Sequence, residues 1–247
     1  MIMKHTKYPR TKHLPWSGSA THDDRFLEST ECFNNKRVVV TLKEDGEATS
    51  LYSDGSFHAR SLDSKADPSR DWLHKCWRDI CFSEKYNTLM HSFEGYGFPH
   101  HNDKEEPIRF CGENLRAKHT IEYTNLNAYF YLHSIWLGDY CLDWTTTVDI
   151  ADELSLSLVP VLYQGFYNEK SIRELNNLET HEGMPVEGYV VRLANSILFE
   201  DFGSSVAKYV RPNFNVGEKH WFHTQREYNK LKDGIMKDNW LSSSNNS

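Results

Sequence analysis

The sequence predicts an α+β fold in which antiparallel β-sheets are flanked by helices. Segments with the composition of strands outnumber segments with the periodicity of helices. Several strand-like segments are joined by short turns, and the Asp54-Gly55 pair between two of them is a strong hairpin signal. The helix-like segments carry apolar residues at about every fourth position, which is typical of helices that pack on a sheet by one face.

The strand-like segments are rich in β-branched and aromatic residues. They are residues 37–42, 47–52, 108–114, 128–137, 158–163, 187–194 and 204–211, with 57–61 as the hairpin partner of 47–52. The apolar run 158–163 predicts a buried strand. Helices are predicted over 69–86, 145–156, 168–178 and 218–240, with Ser69 and Thr145 as the caps of the first two. Residues 94–107 have the glycine and proline content of a loop.

Composition divides the chain into three parts. Residues 1–36 are punctuated by proline, glycine and paired aspartates, and we expect an irregular segment packed on the main domain. Residues 37–214 hold the predicted strands and form that domain. Residues 215–247 are predicted to form a helical tail whose serine- and asparagine-rich end is disordered.

Composition and charge indicate a globular protein without a membrane partner. No stretch approaches the roughly 20 apolar residues of a membrane span, and the N-terminal residues contain no apolar signal core. We therefore expect a cytoplasmic protein, in the host cytoplasm if a phage encodes it. The net charge of -7 argues against non-specific coating of nucleic acid but allows a local basic groove. The five cysteines are widely spaced without a CxxC pair, which predicts reduced thiols.

Five short motifs carry the candidate chemistry. In chain order they are KEDGE from Lys43, SFHARS around Arg60, CGEN around Glu113, EGYVVR from Glu187 and VAKYVR around Lys208. A lone K-x-D-G is also an ordinary turn, so the interpretation depends on the order and spacing of the whole set. The set resembles the covalent nucleotidyltransferase superfamily of DNA ligases, RNA ligases and mRNA capping enzymes.

The flanking sequence is similar to one group within that superfamily. KYPRTKHLPW, DGSFHARSLDS, PSRDWLH, CGENLRAKHTIEY and SVAKYVR resemble bacterial and phage ATP-dependent RNA ligases, near the class that seals breaks in duplex RNA. This resemblance runs from about Lys7 to Trp221. It implies an adenylyltransferase domain of the ATP-grasp-like nucleotidyltransferase type over residues 37–214. The part of the chain after Lys208 is too short for a full C-terminal OB domain, so we expect none.

The resemblance implies three catalytic residues. Lys43 is the nucleophile that attacks the α-phosphate of ATP, a role that requires a neutral amine. Because Lys43 follows a buried strand, we expect burial and a nearby divalent cation to favour the neutral form. Glu187 resembles the carboxylate beside the metal ion, Mg²⁺ or Mn²⁺. Lys208 resembles the lysine that holds the α-phosphate through the transition state.

Four further residues are expected to bind the nucleotide. Gly46 would let the backbone come close to it. Arg60 resembles an arginine that contacts the AMP sugar or the RNA phosphate, for which a guanidinium fork is suited. Glu113 resembles a glutamate that accepts hydrogen bonds from the ribose. Phe130 resembles the aromatic residue that stacks on adenine.

Three more candidates surround the first and last motifs. Asp45 is an acceptor that either orients Lys43 or stabilises its loop. Many relatives have a glutamate before the nucleophile that helps to read the adenine edge; this chain has Leu42 there, which leaves its purine selectivity open. Many ligases end their last motif with a second lysine at a position where this chain has valine, and Arg211 follows as a candidate replacement.

The combined prediction is an RNA ligase that joins RNA 3'-hydroxyl and 5'-phosphate ends through lysyl-AMP and RNA-adenylylate intermediates. ATP and Mg²⁺ or Mn²⁺ would be its cofactors, and duplex or nicked RNA its substrate, in RNA repair. Two alternatives remain at this point. One is a DNA ligase or a capping guanylyltransferase. The other is a nucleotide- or RNA-binding protein with weakened catalysis, an idea that rests on Leu42.

Overall fold

Two β-sheets form the body of the protein. The structure, a computed structural model, describes residues 5–18, 22–64, 67–93, 108–212, 214 and 227–234. The first sheet has the strand order β1-β13-β11-β2-β8, which are Lys12–His13 (β1), Val206–Val210 (β13), Gly188–Leu193 (β11), Arg37–Lys43 (β2) and Val161–Phe166 (β8). The second has the order β12-β7-β6-β5-β3-β4, which are Ile197–Leu198 (β12), Tyr140–Cys141 (β7), Phe130–Leu137 (β6), Ile108–Asn114 (β5), Glu47–Tyr52 (β3) and Phe57–His58 (β4). A small hairpin pairs Thr180–His181 (β9) with Met184–Pro185 (β10).

Nearly all strand pairs are antiparallel, which confirms the predicted fold class; the exception is β1, which runs parallel to β13. The predicted hairpin joins β3 to β4. Gly55 occupies the left-handed region at φ +82°, where a side chain would be strained. The backbone N–H of Ser56 donates to the Asp54 carboxylate at 2.9 Å and closes the turn.

The strand predicted over 158–163 is shifted along the chain and is not buried as predicted. It spans Val161–Phe166 and is the edge strand of the first sheet, where Val161 and Phe166 are exposed. An edge strand has one neighbour only, so its apolar residues are not all covered.

Helices flank both sheets. They are Pro68–Cys81 (α1), Glu84–Phe93 (α2), Trp144–Glu153 (α3), Glu169–Glu174 (α4) and Phe202–Ser205 (α5). The helix predicted over 69–86 is thus two helices. The predicted caps are also wrong, because aspartates just upstream take that role: Asp67 accepts from the Ser69 N–H, and Asp143 from the Thr146 N–H. Pro68 is the first residue of α1, a position at which proline is favoured because a helix leaves that N–H without a partner.

Two clusters of the core lie on the outer faces of the sheets. Side chains of β3, β5 and β6 pack against Leu73 and Trp77 of α1. The outer face of the first sheet packs against Leu14 and Phe33 of the N-terminal segment and against Ile172 of α4. Two further clusters join the inner faces of the two sheets, and the remainder of these inner faces lines a cavity.

Part of the C-terminal helix predicted over 218–240 is absent from the described residues. Residues 227–234 make bridges from Tyr228 to Ala117 and from Leu231 to Leu126 and contain no helix. The rest of the tail and the loop predicted over 94–107 lie outside the described residues. Within the described ranges, no helix is long and apolar enough to cross a membrane. All five cysteines are free thiols, as predicted.

Candidate functional site

A cavity of about 700 Å³ lies between the inner faces of the two sheets. We call it the central cavity. The first sheet contributes Thr41, Lys43, Val190, Arg192, Val206 and Lys208, and the second contributes Ala48, Ser50, Cys111, Glu113, His133 and Cys141. The N-terminal segment closes one side with Lys7, Tyr8, Pro9, Arg10, Thr11 and Asp24. Because Val190 pairs with both Thr41 and Lys208, the side chains at these positions share one face.

Lys43, at the end of β2, is held by an ion pair. Its Nζ donates to Glu187 Oε2 at 2.5 Å, and the Glu187 side chain is only 8% exposed. Burial opposes the charged form of Lys43, but the carboxylates of Glu187 and Glu113 outweigh it, so the pKa of Lys43 is raised. Burial acts as expected, but the two carboxylates reverse the net effect, so the amine is charged in the protein without its nucleotide. The sequence did not reveal that two carboxylates would face the amine.

Glu113 lies on β5 and faces Lys43 from the second sheet. Burial raises the pKa of Glu113 to about 8, although the charge of Lys43 opposes this rise. A carboxyl group held near its protonated form at neutral pH can donate or accept a hydrogen bond. Both options suit contact with ribose hydroxyls.

Lys208 on β13 is tied to the N-terminal segment. Its Nζ lies 3.5 Å from Asp24, and Asp24 lies 3.4 Å from the ring of His13. Burial lowers the pKa of Lys208; the charge of Asp24 opposes this change, whereas that of Lys43 adds to it. Two cations thus border the same cavity, an arrangement that an incoming phosphate would stabilise.

The turn after Lys43 is anchored by the protein itself. The Asp45 carboxylate accepts from the Ile121 N–H at 2.6 Å, and the Asp45 N–H donates to the Tyr123 hydroxyl at 2.9 Å. Of its two predicted roles, this geometry supports stabilisation of the loop. Gly46 borders the central cavity, but a Cβ there would lie 2.8 Å from the Asn114 carbonyl oxygen. The close approach that requires glycine is therefore to β5.

Leu42 also borders the central cavity and is 6% exposed. Its N–H donates to the Pro160 carbonyl at 2.8 Å. An apolar side chain at this position offers a base no hydrogen bond, as the sequence suggested.

Phe130 does not reach the central cavity. It is fully buried in the core with Leu73 and Trp77 of α1. Its side chain lies on the outer face of β6 together with Leu132, whereas His133, three positions further on, lies on the inner face, as strand alternation requires. A β-bulge follows, because Leu132 pairs with Gly112 and Ser134 with Cys111, which leaves His133 without a partner.

His133 is the ring of β6 that lines the central cavity. Burial and the charge of Arg192 lower its pKa to about 3, so the imidazole is neutral. Arg192 braces it, donating to the His133 carbonyl at 3.3 Å and to the Leu142 carbonyl at 2.8 Å. Neither residue is predicted from the sequence; the polar pair His133-Ser134 within a largely apolar strand was the available signal.

The two candidate arginines border different cavities. Arg60 follows β4, is exposed, and borders the central cavity. Arg211 does not. Its side chain lines a second cavity of about 520 Å³, the lateral cavity, with Thr120, Ile121, Glu122, Asn176, Leu178, Glu179, Pro185, Pro212 and Phe214. Because Arg211 follows the end of β13, it has left the face that Lys208 occupies, and it does not replace a second lysine in the central cavity.

The central cavity is basic although the protein is acidic. Its border carries six Lys or Arg residues and three Asp or Glu residues. Lys7 and Arg10 of the N-terminal segment belong to this set, and the sequence analysis did not assign them. This local excess of cations matches the expected basic groove and suits a polyphosphate.

A divalent cation fits the donors beside Lys43 only in part. Among the described residues, no group of three His, Cys, Asp or Glu side chains is arranged to hold a metal ion. Glu187 and Glu113 nevertheless both act on Lys43 and offer hard oxygen donors. Mg²⁺ commonly takes one or two carboxylates and completes its shell with phosphate and water. The site therefore suits an ion that binds together with a nucleotide.

The sequence matches the family model described as RNA ligase over residues 36–210. Among solved structures, the fold is similar to point mutants of the RNA ligase from Naegleria gruberi. One solved with AMP and Mn has a TM-score of 0.51 at 14% identity, covering 84% of this chain and 56% of that chain. One with ATP and Mn has a TM-score of 0.50 at 13% identity, covering 84% and 61%. An apo form has a TM-score of 0.50 at 17% identity, covering 74% and 51%.

At these identities the likeness concerns the fold, and it confirms the predicted nucleotidyltransferase architecture. The chain spans about half to three-fifths of the length of those ligase chains. None of the curated proteins compared with the sequence matches it.

Proposed function

Because the chain belongs to the RNA ligase family, we propose that it joins RNA 3'-hydroxyl and 5'-phosphate ends through an adenylyl group carried on Lys43. The observation that supports this most directly is the Lys43 amine, which borders the central cavity and is hydrogen-bonded to the buried Glu187. A surface lysine in an ordinary turn would have neither the cavity nor the buried partner.

In the proposed first step, the neutral Nζ of Lys43 attacks the α-phosphorus of ATP. A P–N bond forms, the bond from the α-phosphorus to the bridging oxygen breaks, and pyrophosphate leaves. The amine must lose protons, and Glu187 is the adjacent acceptor. Mg²⁺ or Mn²⁺, bound at Glu187 with phosphate oxygens and water, would supply charge neutralisation. The N. gruberi ligase of similar fold was solved with ATP and Mn, which supports this choice of donor and ion.

In the second step, an oxygen of the RNA 5'-phosphate attacks the adenylyl phosphorus, the P–N bond breaks, and Lys43 regains its proton. In the third, the 3'-hydroxyl oxygen attacks the RNA 5'-phosphorus, the bond from that phosphorus to the bridging oxygen breaks, AMP leaves and the hydroxyl proton is released. Lys208 and Arg60 border the cavity that holds these phosphates. Phosphoryl transfer depends mainly on positioning and charge neutralisation, which these cations supply.

The finer substrate assignment is also part of the proposal. From the resemblance of the flanking motifs, we infer duplex or nicked RNA as the substrate and RNA repair in the cytoplasm as the setting. Nicked duplexes with RNA or DNA on the 3'-hydroxyl side test this against a DNA ligase. Equal sealing of both would contradict an RNA-specific enzyme.

Incubation with ATP labelled at the α-phosphate, with Mg²⁺ or Mn²⁺, tests the covalent step. We expect label that survives denaturation in the parent protein and in Lys36→Ala, which removes an exposed lysine. Lys43→Ala should trap none while keeping its circular dichroism spectrum. If Lys43→Ala still traps label, Lys43 is not the nucleophile; if the parent traps none, the protein is not an adenylyltransferase.

A further inference from the structure

One carboxylate of the KEDGE motif has no role in the steps above. Glu44 follows Lys43, borders the central cavity and is only 6% exposed. Its Oε2 atom is buried and has no hydrogen-bond partner among the described residues. The other acidic residue of the motif, Asp45, is already committed to the backbone of the neighbouring loop.

A buried carboxylate oxygen without a partner is costly. Burial raises the pKa of Glu44 to about 7, and the charge of Glu187 adds to this rise, whereas a hydrogen bond from the Tyr123 hydroxyl opposes it. Tyr123 also accepts from the Asp45 N–H, so it fixes the turn and Glu44 together. Glu44 therefore borders the cavity, is held in place by Tyr123 and has one buried acceptor oxygen without a partner among the described residues.

We infer that Glu44 is the base-reading residue of the site, its free oxygen accepting a hydrogen bond from the exocyclic 6-amino group of adenine. The inference rests on the proposed function, since it identifies how that site selects its nucleotide. Leu42 cannot make this contact, and Glu44 borders the same cavity two residues along the chain. Guanine presents an oxygen at the equivalent position, so a carboxylate would face a second acceptor.

The other carboxylate at the cavity is less suited to the base. Both Glu113 and Glu44 are influenced by the charge of Lys43, but Glu113 reaches the cavity from the opposite sheet and its motif resembles the ribose-binding glutamate. Glu44 and Glu113 can therefore contact different parts of one nucleotide: the base and the sugar.

Binding of monophosphates tests the inference without requiring catalysis. Calorimetry at pH 9, where Glu44 with its pKa of about 7 is ionised and can only accept, would compare AMP, GMP and purine riboside 5'-monophosphate, which has hydrogen in place of the 6-amino group. We expect the parent to bind AMP about 10- to 100-fold more tightly than either of the others, the range for a hydrogen bond to a charged group. Glu44→Leu should bind AMP and the purine riboside equally, and Glu44→Gln, whose amide can also donate, should gain affinity for GMP.

Two control variants separate this effect from general damage. Glu113→Gln should weaken all three nucleotides alike, and the exposed Glu31→Gln should change none. A preference for AMP that survives in both Glu44 variants overturns the inference, as does a parent protein without that preference. A parent that shows the preference but never traps label from ATP would contradict the proposed function and leave the base contact standing. Failure to bind any of the three overturns both.

Discussion

Replacing Glu113 with glutamine should make the protein more stable at alkaline pH while impairing it as an enzyme. The folded protein raises the pKa of this carboxyl from 4.5 to about 8, chiefly through burial. Between these two pH values the folded state holds a proton that the unfolded state has released. Stability therefore falls as pH rises through this window, and Glu113→Gln removes the loss.

The size of the effect follows from the two pKa values. One unit corresponds to 1.36 kcal/mol, so the rise to about 8 corresponds to at most about 5 kcal/mol. Because Glu113 borders an open cavity, water reduces this figure, and we expect about 2–3 kcal/mol. For a protein of this length, that is a rise in Tm of about 5–10 °C.

Thermal unfolding of the parent and Glu113→Gln at pH 5 and pH 9 measures the effect. The gain should be present at pH 9 and small at pH 5, where the carboxyl is mostly protonated in the folded state. The exposed Glu31→Gln is the matched control and should gain nothing at either pH. An equal gain at both pH values, or a less stable Glu113→Gln at pH 9, would refute the reasoning.

Three further predictions concern the residues that the sequence assigned to the site and the ring that lines the cavity instead. Arg60→Ala should keep most labelling by ATP but seal pre-adenylylated nicked RNA at least about tenfold more slowly, since Arg60 lies at the exposed border of the central cavity. Sealing at the parent rate in a single-turnover assay would contradict this. Arg211→Ala should label within about twofold of the parent, because Arg211 lines the lateral cavity; a tenfold loss would disprove that separation. Phe130→Ala should lower the free energy of unfolding by about 3–5 kcal/mol in denaturant, whereas His133→Ala should weaken AMP binding in calorimetry by about 1–3 kcal/mol. The opposite result, in which Phe130→Ala weakens AMP binding and His133→Ala destabilises the protein, would contradict this assignment.

Local features of the fold were accessible from the sequence. The β-branched run over β2, the strand predicted over β5 and the Asp-Gly turn before β4 depend on neighbouring residues only, and all three agree with the structure. Each predicted helix cap lies two residues after the observed one because several residues near each helix start can accept a hydrogen bond. Which one does so depends on the first helical turn, where Asp67 precedes Pro68 and Asp143 precedes Trp144.

The sequence by itself determined that this chain belongs to the RNA ligase family and that its candidate nucleophile follows a buried strand, because motif order and residue type are local properties. Only the tertiary structure decided which side chains meet Lys43. The charge of its amine depends on Glu187, 144 positions away in the chain, and on Glu113 from the opposite sheet. Which face of β6 lines the cavity depends on how the strand packs: Phe130 lies in the core beside α1, whereas His133 borders the central cavity. Electrostatic fields and strand register arise between segments distant in sequence, so no local pattern contains them.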